Sequence, residues 1–177
     1  EHGMRFVDLP NHTPPSNKKI SIQALQKTLE DCGIEYLVTL PETPYELFLR
    51  DVATNSPIRI IQVTRESEGM AICAGLTYGG KKAAWMGSYK GFYNSLDSLI
   101  GTARRLQASF LILISDEEIP PDRAAKDPEM GRYAAAIARA IDLPCLEVRS
   151  TEELVKIREA LEKTVTSTQP VAVALYW

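Results

Sequence analysis

Histidine is nearly absent from this sequence, and its scarcity narrows the chemistry that the chain can perform. The 177 residues include two histidines, His2 and His12, and both precede the first predicted helix. The predicted folded region therefore has no histidine for a Ser-His-Asp triad, for a histidine-ligated metal site or for general base catalysis. Any catalysis must depend on carboxylates or on a bound cofactor.

Other common signals are also missing. The three cysteines, Cys32, Cys73 and Cys145, fit neither a CxxC motif nor a metal-site spacing. We expect them to be buried, reduced thiols of a cytoplasmic protein. No apolar run approaches the ~20 residues of a membrane span, no secretory signal opens the sequence, and no glycine-rich phosphate loop is present. The net charge of −3 does not favour nucleic acid or an anionic membrane as a partner.

Strand and helix patterns alternate along the chain. Strands are predicted at 36–40, 58–63, 83–86, 110–114, 145–148 and 171–176, and helices at 22–32, 44–53, 66–78, 94–106, 133–141 and 154–165. Because the strands are continuously apolar, they predict a parallel sheet that is covered on both faces. The expected fold class is α/β, a three-layer, doubly wound and mostly parallel six-stranded sheet.

One domain is expected at 18–177, after a flexible leader at 1–17. The first four residues, EHGM, look like a tag remnant that ends at a native start, Met4. The longest predicted loop, 116–128, is charged and rich in proline, and it is a candidate lid or partner surface. Ligands bind such sheets at the carboxyl ends of the strands. The segments expected at that edge are 41–43, 64–68, 87–94 and 116–118.

The segment TRESEGMAICAG (64–75) combines two acids with a helix of small residues. Glu66 and Glu68 in a first helical turn would stabilise the helix dipole by about 0.3–1 kcal/mol, which explains the acids without any function. Gly75 in the helix costs about 1 kcal/mol relative to alanine. We expect residues 70–75 to be buried all round, and their small size to allow close approach of either a neighbouring helix or a flat ligand.

The same segment resembles the motif T-R-E-x-E-G-x-x-I-C-A-G of a known family. This is the pyrimidine-binding (PYR) domain of thiamine-diphosphate-dependent enzymes, in particular that of the sulfopyruvate and phosphonopyruvate decarboxylases. GFYNSLDSL (91–99) resembles the family's G-L-G-N-S-L-N-x-L. Two further similarities to the family are weaker. They are Pro41 after the first strand, and MGR (130–132) followed by IDLP (141–144).

The resemblance implies that Glu66, nine residues before Gly75, is the catalytic acid. In the family this residue shares a proton with N1′ of the cofactor's aminopyrimidine, which favours the imino tautomer of the 4′-amino group. The positions that the resemblance assigns to the cofactor are Glu66, Cys73, Gly75 and Asn94, and the positions predicted for the substrate are Pro41, Ser88, Tyr89 and Lys90.

The family also needs a Gly-Asp-Gly motif with a downstream Asn, which binds Mg²⁺ and the diphosphate, and this chain has no such motif. No metal ligand is therefore expected here. The sequence also ends after its last predicted strand. A separate β subunit is expected to supply the diphosphate-binding (PP) domain, in a hetero-oligomer such as α2β2.

Two departures from the family bear on the substrate, which is expected to be a 2-oxo acid. SYKGFYN (88–94) stands where the family has Q-N-S-G-L-G-N, and SDEE (115–118) stands where it has a basic Arg-Gly. Tyr89, Phe92 and Tyr93 are predicted to face either an apolar substrate group or a partner chain. From the resemblance as a whole, the chain is interpreted as the α subunit of a decarboxylase. The alternatives are a carboligase or acyl-transfer subunit and a non-catalytic PYR-like binding or regulatory protein.

Overall fold

Six strands form one parallel sheet in the computed structural model, which describes residues 20–116 and 133–176. The strands are β1 (Tyr36–Thr39), β2 (Arg59–Gln62), β3 (Ala83–Ser88), β4 (Leu111–Asp116), β5 (Cys145–Val148) and β6 (Val171–Tyr176). Their order is β2-β1-β3-β4-β6-β5. At the carboxyl end of β1, Thr39 pairs with Gln62 on one side and with Met86 on the other. The predicted parallel α/β sheet is confirmed.

Helices connect the strands. They are α1 (Ile22–Asp31), α2 (Glu46–Asn55) after a 3-10 turn (Thr43–Tyr45), α3 (Glu66–Tyr78), α4 (Tyr89–Asn94), α5 (Leu96–Ser98), a π-helical segment (Leu99–Arg104), α6 (Ala134–Ala140), and α7 (Val155–Ser167) after a 3-10 turn (Thr151–Leu154). Ser21 caps α1, because its hydroxyl accepts a hydrogen bond from the Ala24 N–H at 3.3 Å. Among the described residues, no helix is both long and apolar enough to cross a membrane.

The core lies on both faces of the sheet. On one face, α1, α2 and α7 contribute buried side chains such as Leu25, Phe48 and Ile157. On the other face, α3 and α4 contribute Met70 and Phe92. Successive strand residues point to opposite faces, so each apolar strand supplies both cores. This arrangement confirms the predicted three-layer, doubly wound architecture.

A crevice is expected where the chain changes direction across the sheet. β1 lies between β2 and β3. The chain leaves β1 towards α2 on one face and leaves β3 towards α4 on the other, since these helices belong to different cores. The carboxyl ends of β1 and β3 therefore diverge, which is the position where open α/β sheets bind ligands.

One helix prediction was wrong in its start. The helix predicted at 94–106 is preceded by α4, which begins directly after β3. Ser88 caps α4 by accepting a hydrogen bond from the Gly91 N–H at 3.3 Å. Gly91 and the aromatic residues beside it have low helix propensity, and packing against the core outweighs that preference. The segment 88–94 is therefore mostly helix rather than loop.

One burial prediction was also wrong. The 70–75 segment of α3 is not buried all round, because Ala71 and Gly75 are exposed. On α6, the buried residues are Ala134, Ala135 and Ala138. The predicted leader at 1–17, residues 117–128 of the predicted loop and the motif at 130–132 lie outside the described residues.

Candidate functional site

Glu66 and Asn94 are in direct contact at the carboxyl edge of the sheet. Glu66 is the half-buried first residue of α3, and Asn94 is the last residue of α4. The Asn94 Nδ2 donates a hydrogen bond to Oε2 of Glu66 at 3.0 Å. The sequence assigned both residues to the cofactor, and the structure brings them together.

Gly91 leaves the space that the Glu66 side chain occupies. A Cβ at position 91 would lie 2.7 Å from Cγ of Glu66 and 3.3 Å from its Oε1. The first of these distances is shorter than any ordinary carbon–carbon contact. Helix α4 therefore approaches the Glu66 side chain as closely as its backbone allows.

The side chain of Trp85, on β3, packs against the start of α3. Its Nε1 donates a hydrogen bond to the backbone carbonyl of Glu66 at 3.0 Å. A Cβ at Gly69 would lie 2.8 Å from Cδ1 of Trp85, and a Cβ at Gly87 would also overlap the ring. At Gly69, therefore, the group that approaches α3 closely is a tryptophan of the sheet.

Glu68 has a structural role that separates it from Glu66. Its Oε2 accepts hydrogen bonds from the Thr64 hydroxyl at 3.0 Å, from the Thr64 N–H at 3.2 Å and from the Arg65 N–H at 3.1 Å. The two hydrogen bonds from Thr64 are the main reason that the pKa of Glu68 is lowered. Glu68 thus satisfies backbone donors at the start of α3.

Glu42 is a second acid of the site, and the sequence analysis did not select it. It follows Pro41 at the carboxyl end of β1 and is half-buried. Burial raises the pKa of Glu42, a hydrogen bond with Ser88 opposes that rise, the negative charge of Glu66 adds to it, and the positive charge of Lys90 opposes it. The available signal was its position, an acid in the 41–43 segment directly after a strand.

Tyr45 fixes the segment that carries Glu42. Its side chain is buried, and its hydroxyl donates a hydrogen bond to the carbonyl of Leu40 at 2.5 Å. Burial raises the pKa of Tyr45, and the negative charge of Glu42 adds to the rise. The tyrosine therefore stays neutral and folds the segment back onto the end of β1.

The predicted substrate residues gather at the same edge. Ser88 is buried, and its side chain acts to lower the pKa of Glu42, while Pro41 is exposed and precedes Glu42 in the chain. Lys90 is exposed, and its Nζ lies 5.7 Å from the ring centroid of Tyr89. Tyr89 is half-buried. The structure thus places candidate substrate contacts around the two acids.

Three other sequence-predicted positions lie away from this cluster. Cys73 is fully buried in the core beneath α3, where burial raises the pKa of its thiol well above the ordinary value, and its side chain offers no surface to a ligand. Gly75 is exposed on α3, and a Cβ there would meet no atom of residues 20–116 or 133–176 within 4 Å. Phe92 is fully buried, so it cannot face a substrate.

The cluster fits one end of a thiamine cofactor. Oε2 of Glu66 is bound by Asn94, whereas its Oε1 has no hydrogen-bond partner among residues 20–116 and 133–176. That oxygen is free to bind a protonated ring nitrogen. In the same ranges, no group of three or more potential metal ligands occurs. The described residues therefore suit the aminopyrimidine end.

The fold is that of the PYR domain of thiamine-diphosphate-dependent enzymes. A solved structure from Mycobacterium smegmatis, assigned as a thiamin diphosphate-dependent enzyme, matches 90% of this chain with a TM-score of 0.69 and 18% identity. Benzoylformate decarboxylase from Polynucleobacter necessarius matches 87% with a TM-score of 0.67 and 15% identity. The matches span 31% and 29% of those longer chains.

The sequence is similar to curated proteins named sulfopyruvate decarboxylase subunit alpha. The Methanococcus maripaludis protein is 26% identical over 159 residues, which cover 88% of this chain and 95% of that protein. The Methanocaldococcus jannaschii protein is 27% identical over 158 residues, which cover 87% of this chain and 94% of that protein. No family model matches the chain. The resemblance that the motifs predicted is confirmed.

Proposed function

We propose that this chain is the α, pyrimidine-binding subunit of a two-chain, thiamine-diphosphate-dependent 2-oxo acid decarboxylase. The enzyme is a carbon–carbon lyase of the cytoplasm, and it is active only with a β subunit. The observation that carries the proposal is the contact of Glu66 with Asn94 over Gly91 at the carboxyl edge of the sheet. The similarity to proteins named as α subunits supports it.

The residues of this chain hold and orient a proton. When bound, thiamine diphosphate supplies the electron acceptor that a 2-oxo acid needs to lose CO₂. Oε1 of Glu66 would hold the proton at N1′ of the aminopyrimidine. Asn94 fixes the carboxyl group through Oε2, and Trp85 fixes the backbone of the same residue. The Asn94 contact restrains rotation of the carboxyl group, and the Trp85 contact restrains the backbone that carries it.

The β subunit holds Mg²⁺ and the diphosphate, and the cofactor lies between the chains of a hetero-oligomer such as α2β2. The missing Gly-Asp-Gly motif supports this division. The exposed small residues Ala71 and Gly75 of α3 suit the close approach of another chain.

The substrate we favour is a 2-oxo acid with an uncharged tail. The relatives are named for sulfopyruvate, which carries a second negative charge.

Two measurements test the proposal. Calorimetry on the isolated chain should detect little or no thiamine diphosphate binding, and adding the β chain should produce tight, Mg²⁺-dependent binding. The mixture should then release CO₂ and an aldehyde from a 2-oxo acid. Tight binding to the isolated chain would contradict the division of the site. A bound β chain without cofactor-dependent CO₂ release would favour a regulatory protein, and CO₂ release with a coupled product would favour a carboligase.

A further inference from the structure

We propose that Glu42 is the second acid–base group of this site and supplies the proton that decarboxylation of a 2-oxo acid consumes. The inference rests on the proposed function. The net reaction, R–CO–COO⁻ + H⁺ → R–CHO + CO₂, uses one proton per turnover. The bond between the carbonyl carbon and the carboxylate breaks, and its electron pair ends in the C–H bond of the aldehyde. Glu42 then regains a proton from water.

The topology places Glu42 at the centre of the cluster. β1 lies between β2 and β3. Glu42 therefore extends from the middle of three adjacent strand ends, with Glu66 following β2 on one side and Ser88 ending β3 on the other. A group in this position faces the same crevice as Glu66.

The groups that act on Glu42 come from each neighbouring element. They are Glu66 at the start of α3, Ser88 and Lys90 at the start of α4, and Tyr45 in its own segment. The Ser88 oxygen already accepts a hydrogen bond from the Gly91 N–H, so its hydroxyl hydrogen is available to the Glu42 carboxyl. This interaction lowers the pKa of Glu42 and so opposes the effect of burial, which is the larger of the two.

The two acids have different duties. Glu66 is engaged by Asn94 and, in the proposed function, by N1′ of the aminopyrimidine, so it is not available to donate a proton to the substrate. Glu42 takes part in neither of these two contacts. Its partial burial and the charge of Glu66 both raise its pKa, which keeps it protonated to higher pH than an exposed glutamate. Neighbouring carboxyl groups whose environments differ in this way divide acid and base roles between them.

The first test measures the Glu42 proton in the chain alone, without an activity assay. Side-chain ¹³C NMR of glutamate-labelled chain should show one carboxyl that titrates above the ordinary glutamate range. That titration should be absent in Glu42→Gln and should move to lower pH in Glu66→Gln. The matched control is Glu46→Gln, since Glu46 pairs with Arg50 on α2, and it should leave the titration unchanged. The inference is overturned if Glu42 titrates in the ordinary glutamate range. It is also overturned if the carboxyl group with the raised pKa is still present in Glu42→Gln.

The second test uses the enzyme reconstituted with its β chain. Glu42→Gln should lower aldehyde formation by at least about 10²-fold, the lower range for a general acid. Glu42→Asp should recover part of that rate. The wild-type kcat should fall as pH rises through the Glu42 pKa, and this alkaline decline should be absent in Glu42→Gln. If wild type releases CO₂ with the cofactor and Glu42→Gln matches it, the inference about Glu42 is wrong and the proposed function stands. If wild type itself releases none, the proposed function is wrong.

Discussion

Asn94 and Glu66 are 28 positions apart in the sequence, and their side chains meet at 3.0 Å. The contact joins the end of α4 to the start of α3. These two helices follow β3 and β2, the strands that flank β1. A hydrogen bond between them therefore sets the orientation of an acid at the edge where this fold binds ligands.

Removing the Asn94 amide should release the Glu66 side chain. We expect Asn94→Ala to lower kcat of the reconstituted enzyme about tenfold, which corresponds to about 1.4 kcal/mol. Asn94→Asp should be worse, because it places a second negative charge beside the carboxylate. The matched control is Asn55→Ala, whose amide binds Asp51 on the surface of α2. Equal rates for the Asn94 and Asn55 variants would show that the contact does not position the acid.

The two acids at the start of α3 should respond differently to the same substitution. Glu66→Gln keeps the size of the side chain but removes the carboxylate, so turnover should fall at least about 10²-fold. Glu68→Gln should mainly lower thermal stability, because Glu68 binds Thr64 and Arg65 at the helix start. Steady-state kinetics and thermal unfolding of both variants separate the two effects. Equal losses of turnover would mean that the acid is misassigned.

Gly91→Ala tests the space beside Glu66. The new Cβ would overlap Cγ of Glu66, which has to move away. Because Glu66 is a flexible side chain and alanine favours the helix, stability should change little while turnover falls at least about tenfold. Gly75→Ala is the control for stability alone, since its Cβ would meet no atom within 4 Å among the described residues. In the isolated chain that change should be stabilising by about 0.5–1 kcal/mol. A fully active Gly91→Ala enzyme would contradict the role of this space.

The sequence predicted α3 well because its start and end carry local signals. Acids occupy the first turn, and Gly79 and Gly80 follow the last residue, with Gly80 at a φ of +73°. The orientation of α3 was not predictable, because the helix is apolar on all sides and no polar face marks its exposed side. Cys73, which the resemblance assigned to the cofactor, lies in the core instead.

Glu42 was missed for a different physical reason. The pKa of Glu42 depends on burial and on electrostatic interactions with Glu66, Ser88 and Lys90, which are brought together only by the strand order. Glu66 was recognised because its motif is continuous in the sequence. Local motifs therefore located one acid of the candidate site, and tertiary structure was needed for the other.

Glu42 should also affect stability in a pH-dependent way. Its pKa is raised in the folded chain, so its contribution to the free energy of unfolding is present below the ordinary glutamate pKa and is lost as pH rises through the folded value. Glutamine does not titrate. Glu42→Gln should therefore gain stability relative to wild type between about pH 4 and pH 8, as measured by urea unfolding at both values.

Glu35→Gln provides a control of opposite sign for that measurement. The pKa of Glu35 is lowered, chiefly by its hydrogen bond with Lys81. Its contribution to stability is present above the ordinary glutamate pKa and is lost as pH falls. Glu35→Gln should therefore lose stability relative to wild type over the same rise in pH. The same sign of change in both variants would contradict the environment described for Glu42.

The charges of the site bear on which substrate tail it accepts. A doubly anionic 2-oxo acid such as sulfopyruvate needs cations near its far end, ideally arginine with its forked donors. The cation that acts on Glu42 is a lysine, Lys90, and Glu66 adds a negative charge nearby. Like charges repel by about 4 kcal/mol at 4 Å with an effective dielectric near 20. The sequence at 116–118 is acidic as well, although 117 and 118 lie outside the described residues.

We therefore expect the reconstituted enzyme to prefer pyruvate or a branched 2-oxo acid over sulfopyruvate by at least about tenfold in kcat/KM, since ~1.4 kcal/mol of residual repulsion is enough for that ratio. Kinetics with the three substrates check this. Raising the salt concentration should narrow the gap, because screening weakens repulsion at an open site. A clear advantage for sulfopyruvate would mean that the β chain supplies the cations and that the acids of this chain face away from the tail of the substrate.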